Sequence, residues 1–232
     1  MSLARRLLAE TLGALLLAAT VIGSGIMAER LAGGNLAVAL IANTGATVAA
    51  LATLISILGP ISGAHFNPAV SLVQALRKKL SARDACAYAV AQIAGCCVGA
   101  LIAHAMFELP LLQTSGHVRT GASQWLAEVV ATAGLVLVVV ASATAEVAAW
   151  RVAAWIGAAY WFTSSTSFAN PAITIARALS DTFTGIRPVD AIGFIAAQLV
   201  GAIVGLYVGK LTAERGDRPA STPSRVRARR AS

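Results

Sequence analysis

The chain alternates long apolar runs with short polar breaks. A hydrocarbon core about 30 Å thick is crossed by about 20 helical residues, and an apolar run with few charges is a candidate span. The pattern therefore predicts an all-α membrane protein with six transmembrane helices. The predicted spans are residues 7–28, 36–58, 85–107, 124–144, 152–164 and 189–211.

Two shorter apolar segments lie between these spans, and each begins with the same three residues. The triplets are Asn67-Pro68-Ala69 and Asn170-Pro171-Ala172. Asparagine is a favoured N-cap and proline a favoured first helical residue, so each triplet predicts a loop that turns into a helix. Apolar character ends at Arg77 and near Ser180. About ten residues cover about 15 Å, and we expect two half-helices whose N-termini meet at the midplane of the bilayer.

The two halves of the chain are related in sequence. Glu10 stands in the first half where Glu128 stands in the second, and Gln92 corresponds in the same way to Gln198. Three spans per half make the second half enter the membrane from the opposite face, which is the arrangement of an inverted repeat. We predict a single domain over residues 1–212, with repeats at 7–107 and 121–211.

The composition supports a membrane location and argues against binding of nucleic acid. Hydrophobic residues make up 57% of the chain and charged residues 12%, which is more apolar surface than a soluble domain of this size can bury. The net charge is +8, but most of the 18 Lys and Arg residues fall on the side that would hold both termini. The positive-inside rule makes that side cytoplasmic. We expect a multi-pass protein of the plasma (inner) membrane with a disordered, basic cytoplasmic tail at 213–232.

Candidate chemistry outside the two triplets is sparse. No combination of nucleophile, base and oxyanion donors suggests an enzyme, and we expect neither a cofactor nor a metal site. Cys86, Cys96 and Cys97 lack a metal-ligand spacing and are interpreted as small packing residues. His65 is interpreted as a packed loop residue or a cytoplasmic pore gate rather than a metal ligand.

The motifs SGAHFNPAVSL and FANPAITIA, set in a six-span inverted repeat with a Glu opening each half, resemble the aquaporin or major intrinsic protein family. The resemblance implies an aquaporin-like fold of six tilted spans and two re-entrant half-helices. It also implies one pore per subunit and a homotetramer in the lipid bilayer. Such a pore passes small neutral solutes, among them water and glycerol, and excludes protons and ions.

The residues themselves suggest how such a pore would work. Each half-helix N-terminus carries about half a positive charge, so two of them facing each other repel cations. Asn67 and Asn170 can each donate a hydrogen bond to a passing oxygen. Irregular backbone at membrane depth is tolerated only where it is buried in protein or lines a watery cavity. The carbonyls of residues 62–66 and 165–169 should therefore form a ladder of acceptors in the pore.

The intramembrane carboxylates Glu10 and Glu128 leave two interpretations open. Carboxylates at this depth commonly mark functional sites, which here would mean a proton relay. The alternative is a buried brace that accepts hydrogen bonds from the backbone of the re-entrant loops. We favour the brace, because the repeat places both carboxylates symmetrically and because the family resemblance implies that role.

The resemblance further implies an outer constriction formed by four positions. Alignment without gaps from the motifs places them on Thr47, Ala158, Ser167 and Ile173. Water-selective relatives have His at the second position and Arg at the fourth, so we expect a wider and less polar constriction here. Ile in place of that Arg is similar to a bacterial subgroup associated with arsenic-resistance genes. The similarity implies metalloid hydroxides such as arsenite as further solutes.

Arg177 lies one helical turn beyond Ile173 on the same helical face. It either supplies a positive charge at a displaced outer mouth or pairs with Asp181. In the first case it would favour polar or anionic solutes, such as methylated arsenicals.

Other functions stay open at this point, namely a water-selective channel, an ion-coupled transporter and a membrane scaffold with a vestigial pore. A coupled transporter needs carboxylates at the midplane, where the sequence places Asn, Pro and Ala.

Overall fold

A computed structural model describes residues 1–213 of the chain. Regular structure within this range is helical, with six long helices and two short ones. The predicted tail at 213–232 lies, apart from its first residue, outside the described range. The helices are α1 (Leu3–Leu31), α2 (Leu36–Ser62), α3 (Pro68–Leu76), α4 (Ala82–Met106), α5 (Ala122–Ala141), α6 (Ala145–Phe162), α7 (Pro171–Ala178) and α8 (Pro188–Ala213).

The predicted end of the second span, at residue 58, is wrong by one helical turn. Helix α2 continues through Pro60 and ends at Ser62. Proline removes one backbone donor, a loss that membrane helices tolerate where their neighbours satisfy the freed groups. The helix ends at Gly63, whose φ of 91° is left-handed and whose N–H donates to the carbonyl of Gly59. The Gly-Pro pair in the sequence therefore marks the last turn of the helix and not its end.

The predicted start of the fifth span, at residue 152, is also wrong. Helix α6 begins at Ala145, and the Thr144 hydroxyl caps it by accepting from the N–H of Val147 at 3.3 Å. Glu146 and Arg151, expected in a turn, therefore lie in the first two turns of a helix. Side chains near a membrane surface can keep their charges in water while the backbone is helical, so the charges did not mark the boundary.

Five of the helices in the described range, α1, α2, α4, α5 and α8, are long and apolar enough to cross a membrane. Helix α6 has 18 residues and is not among them. The half-helices α3 and α7 have 9 and 8 residues, or about 12–14 Å at 1.5 Å per residue, so each covers less than half of a bilayer core.

The two halves pack in the same way. Helix α1 lies against α4 as α5 lies against α8, and each pair meets closely at a glycine. A Cβ at Gly99 would clash with the backbone oxygen of Leu15, and a Cβ at Gly205 with that of Ala133. Small residues let membrane helices approach to this degree. The half-helices α3 and α7 contact each other as well as the flanking long helices, which brings the two triplets together.

Candidate functional site

The two Asn-Pro-Ala triplets meet at the interior ends of α3 and α7. The side-chain Oδ1 of Asn67 accepts from the N–H of Ala69 at 2.9 Å, and that of Asn170 accepts from Ala172 at 3.0 Å. Each side-chain amide donates across the junction, Asn67 to the carbonyl of Ala169 and Asn170 to that of Phe66, both at 2.8 Å. An amide carries two N–H groups, so each Asn keeps a second donor after capping its helix and tying the two loops together.

The loops before the triplets share an unusual backbone pattern. Ala64 and Phe66 have φ of 47° and 48°, and the corresponding Ser167 and Ala169 have φ of 52° and 48°. Residues other than glycine adopt this left-handed region only where their surroundings hold them there. The repetition of the pattern in both loops indicates that the two halves present their backbones in the same way.

The surroundings that hold the loops are the carboxylates of Glu10 and Glu128, both fully buried. Glu10 accepts from the N–H of Phe66 at 2.7 Å and of His65 at 3.0 Å. Glu128 accepts from the N–H of Phe168 at 2.9 Å and of Ala169 at 2.8 Å. Because the amides point at the carboxylates, the loop carbonyls are left for the opposite side. Of the two interpretations left open by the sequence, this geometry favours the brace.

A glutamine completes each brace. Gln92 donates to Glu10 at 2.7 Å, and Gln198 donates to Glu128 at 2.6 Å. The same nitrogens lie 3.0 Å from the Ser71 hydroxyl and 2.9 Å from the Thr174 hydroxyl, on α3 and α7. Each carboxylate is thus linked through one glutamine to the half-helix whose loop it holds.

A cavity of about 100 Å³ is lined by the asparagines of both triplets. About 10–15 Å³ of such volume holds one water molecule, so the cavity has room for several water molecules. One wall is loop backbone with Asn67 and Asn170, and the other is aliphatic. The aliphatic lining comprises Leu17, Val21, Leu51, Ile55, Leu135, Val139, Val152 and Ile156.

The outer part of the cavity is lined by Thr47, Tyr160, Ser167, Ile173 and Arg177. The hydroxyls of Thr47 and Tyr160 lie 3.3 Å apart. The buried hydroxyl of Ser167 has no hydrogen-bond partner among residues 1–213, although a buried hydroxyl is normally paired. Ser167 is a lining residue of the cavity, and its unpaired hydroxyl keeps the capacity to hydrogen-bond with a solute.

The placement of Ala158 in the constriction is wrong. Ala158 is exposed on the outer surface of α6, while Val152, Ile156 and Tyr160 line the cavity. Helical residues four apart share a face and residues two apart point to nearly opposite sides, so Ala158 cannot share the face of Tyr160. The expected wider and less polar constriction loses one of its grounds, because Tyr160 supplies a ring and a hydroxyl there.

Arg177 belongs to the wall of the cavity and does not pair with Asp181. Its Nε donates to the carbonyl of Thr184, and its guanidinium carbon lies 3.3 Å from the centroid of the Phe168 ring. The side chain is only 3% exposed. Asp181 instead accepts from the N–H of Gly116 at 2.8 Å. The outer end of the cavity therefore has a charge one helical turn beyond Ile173.

Sequence reasoning missed the role of the connection between the two halves, residues 107–121, which we call the strap. The strap lies on the outer end of α7 and the segment after it: Ser115 donates through its N–H to the carbonyl of Ala178 at 3.1 Å, and Arg187 donates through its N–H to that of His117 at 2.8 Å. From the strap, the Arg119 side chain reaches the segment beside Arg177. Burial lowers the pKa of Arg119 from its ordinary value. The polar residues of the strap were the available signal, but they predicted only a loop.

His65 lines the cavity beside the first triplet. Its Nδ1 lies 3.1 Å from the Ser71 hydroxyl, and its ring packs 5.3 Å from that of Tyr88. The residues that the structure describes contain no cluster of His, Cys, Asp and Glu able to hold a metal ion. His65 is thus placed as a loop residue beside the cavity and has no second ligand near it.

Comparison with known proteins gives a consistent picture. The family model described as "Major intrinsic protein" matches residues 1–162. The chain is 55% identical over 206 residues to the aquaglyceroporin AqpS of Rhizobium meliloti (strain 1021), with 88% of each chain covered. It is 30% identical over 240 residues to the aquaporin AqpM of Methanothermobacter marburgensis, covering 91% of this chain and 96% of that one. The X-ray structure of the aquaglyceroporin from Plasmodium falciparum matches with a TM-score of 0.71 at 20% identity, over 93% of this chain and 99% of the other, which is a likeness of fold.

Proposed function

The chain belongs to the major intrinsic protein family, and we propose that it is a passive membrane channel for water, glycerol and other small uncharged solutes. The observation that carries the proposal is one cavity that passes both Asn67 and Asn170. A coupled transporter would place ion-binding carboxylates in that cavity. Within the described residues Glu10 and Glu128 point away from the cavity and bind loop amides.

The exclusion of protons and other cations follows from the middle of this cavity. The N-termini of α3 and α7 face each other there, and each contributes about half a positive charge. The remaining N–H groups of Asn67 and Asn170 donate to the oxygen of a passing solute. A water that accepts from both cannot also accept a proton from its neighbour, which interrupts proton transfer along the file.

The passage of glycerol in addition to water is explained by the two different walls of the cavity. Loop carbonyls and the hydroxyls of Thr47 and Ser167 bind hydroxyl groups, and the aliphatic wall accommodates a carbon backbone. Ile173, with no charge, stands directly after the second triplet. Because Ile173 is bulky and apolar, the nearest charge is that of Arg177, one helical turn farther out. Glycerol has hydroxyls on one edge and carbon on the other, and so it matches both walls.

Metalloid hydroxides are the finer part of the proposal. Arsenous acid is uncharged near neutral pH and carries three hydroxyl groups on a compact centre, so it offers the same donors and acceptors as a small polyol. The similarity to the aquaglyceroporin AqpS over most of both chains supports passage of glycerol, and arsenous acid is like glycerol in its uncharged hydroxyl groups. The physiological direction of flow is then set by the gradient of the solute.

The exposed apolar surface supports a location in the membrane. Large apolar side chains such as Leu8, Val90 and Tyr207 are exposed on the outer faces of the long helices, where lipid or further subunits cover them. We propose a homotetramer in the plasma (inner) membrane, as the family resemblance implies. Both termini would be cytoplasmic, because the basic residues concentrate on that side.

Stopped-flow light scattering on proteoliposomes tests the proposal, with water, glycerol and arsenous acid compared in one preparation. A pH-sensitive dye inside the same vesicles reports proton entry. Flux of all three solutes without proton entry is expected. Thr47→Trp should block the cavity, and Ile57→Trp, which adds the same side chain at an exposed position of α2, should leave flux unchanged. Equal flux in empty vesicles and in vesicles with the protein would refute a channel.

A further inference from the structure

Two arginines meet at the outer end of the cavity, and their contacts interlock on one short segment. Arg119 donates through Nε to the carbonyl of Gly185 at 2.7 Å and through a terminal nitrogen to that of Phe183 at 3.3 Å. Arg177 binds the carbonyl between them, that of Thr184. Three consecutive carbonyls are therefore divided between two guanidinium groups, and segment 183–185 cannot move without disturbing both.

The guanidinium groups of Arg177 and Arg119 also share the ring of Phe168. The guanidinium carbon of Arg177 lies 3.3 Å from its centroid, and that of Arg119 lies 5.3 Å from it. Both distances fall within the range of a cation–π contact. The two charged carbons are thus within about 9 Å of each other, where like charges repel in a partly dry site. Phe168 precedes the second triplet by two residues, so this arrangement is fixed to the pore loop.

Among the residues that the structure describes, no carboxylate contacts either guanidinium group. Within residues 1–213 the salt bridges are Arg6–Asp84 and Arg187–Asp190. Asp190 accepts the backbone N–H of Arg119 at 3.0 Å, but its ion pair is with the Arg187 side chain. The outer mouth therefore has two positive charges whose partners are carbonyls and one aromatic ring.

We propose that Arg119 is a specificity-determining residue that acts by positioning Arg177. By binding the carbonyls of Phe183 and Gly185 it holds the Thr184 carbonyl toward Arg177, and it makes a second contact with the Phe168 ring. This keeps the Arg177 guanidinium against the cavity wall, where it repels small cations that have the size of permeant solutes. The inference rests on the proposed channel function and concerns how that channel rejects positive charge.

Urea and guanidinium provide the test, because they are planar and nearly equal in size but differ by one charge. Uptake of each labelled compound into proteoliposomes gives a guanidinium-to-urea permeability ratio. Arg119→Gln and Arg177→Gln should each raise this ratio about tenfold, equivalent to about 1.4 kcal/mol. The double variant should match Arg177→Gln alone, because a positioning residue has no effect once its target is removed.

Matched variants separate positioning from general damage. Arg30→Gln is the control, since Arg30 also lies on the outer side, donates to a carbonyl (that of Phe107, at 3.0 Å) and lies over a phenylalanine ring, but does not line the cavity. Its ratio should equal that of the unmodified protein. Arg119→Met keeps the aliphatic stem without the donors and should behave as Arg119→Gln. Arg119→Lys restores charge and donors and should recover most of the selectivity.

An unchanged ratio in both Arg119→Gln and Arg119→Met would overturn the proposal. So would a double variant whose ratio is the product of the two single effects, because Arg119 would then act as an independent charge. If the unmodified protein conducts neither urea nor water, the proposed channel function itself is refuted. The two failures are therefore distinguishable in one set of vesicles.

Discussion

The side-chain amide of Asn67 donates to the carbonyl of Ala169, and that of Asn170 donates to the carbonyl of Phe66, both at 2.8 Å. Each asparagine therefore caps its own half-helix and fixes the loop of the other. The two contacts are equivalent under the internal symmetry of the fold. Neither half of the chain can form its part of the pore in final geometry without the other.

Replacing Asn67 with Ala should weaken both the fold and the proton barrier. It removes an N-cap, at about 1 kcal/mol, and a buried hydrogen bond, at about 1 kcal/mol or more because the Ala169 carbonyl loses its donor. Denaturation in detergent should show a loss of about 2 kcal/mol, and dye-loaded vesicles should admit protons faster.

Asn67→Asp provides the comparison for this loss. The Asp side chain keeps the oxygen that caps the helix but lacks the N–H that donates to the Ala169 carbonyl. The comparison therefore separates the stability contributed by the cap from that contributed by the hydrogen bond between the loops. Equal stability of the unmodified protein and both variants would contradict the structural role given to Asn67.

Glu10→Gln should destabilise the protein without creating a pH-dependent change in flux. The Gln side chain places its own N–H group against the loop N–H donors that bind the Glu10 carboxylate in the unmodified protein. Losing these charge-assisted hydrogen bonds costs about 2–3 kcal/mol of stability. Thermal denaturation measures the loss, and Glu128→Gln should behave alike because it makes the equivalent contacts. A variant of normal stability with altered proton entry between pH 5 and 8 would instead support a relay.

Tyr160→Ala should widen the outer constriction, whereas Ala158→Leu should not narrow it. Tyr160 lines the cavity beside Thr47, and Ala158 points away from it. The ratio of glycerol to water permeability should rise severalfold in the first variant and stay unchanged in the second. A block of flux by Ala158→Leu would show that α6 is rotated from the orientation described above.

Arg177→Ala should reduce uptake of pentavalent methylarsenate relative to glycerol. The monoanion gains from a positive charge at the mouth, and losing that charge should lower its relative uptake about tenfold, or about 1.4 kcal/mol. Arsenic in lysed vesicles can be measured directly by mass spectrometry, with glycerol flux as the internal reference. Unchanged relative uptake would mean that Arg177 serves exclusion of cations and not entry of anions.

Much of the architecture could be predicted from the sequence, because two triplets at matching places fix both the repeat and the re-entrant helices. The family was confirmed by the comparisons. Helix ends were predicted less well: Pro60 is inside a helix and Glu146 is helical. Proline usually breaks a helix, and a charged residue usually marks the end of an apolar span. Here the backbone stays helical at both, and the charge near the membrane surface remains in water.

The constriction shows a different limit. Ser167 and Ile173 were placed by counting within the second re-entrant segment, and Thr47 by counting back from Asn67 into α2; all three line the cavity. Ala158 was placed by counting back from Asn170 across the loop into α6, where an error of two residues rotates the position to the opposite face of the helix. Arg119 could not be found by counting at all, because its role depends on how the strap lies on segment 183–185.

The strap has a consequence for any attempt to divide this channel into two co-expressed polypeptides. It joins the halves in the chain, yet from Gln113 onward its contacts are with the second half, beginning with the Gln113 side chain and the Asp181 N–H at 3.0 Å. A break at about residue 109 would keep both partners of each of these contacts on one polypeptide. A break at about residue 121 would place the two partners on different polypeptides. The first pair of fragments should reassemble more readily than the second, and so the natural joint between the duplicated units lies next to α4 rather than at the centre of the linker.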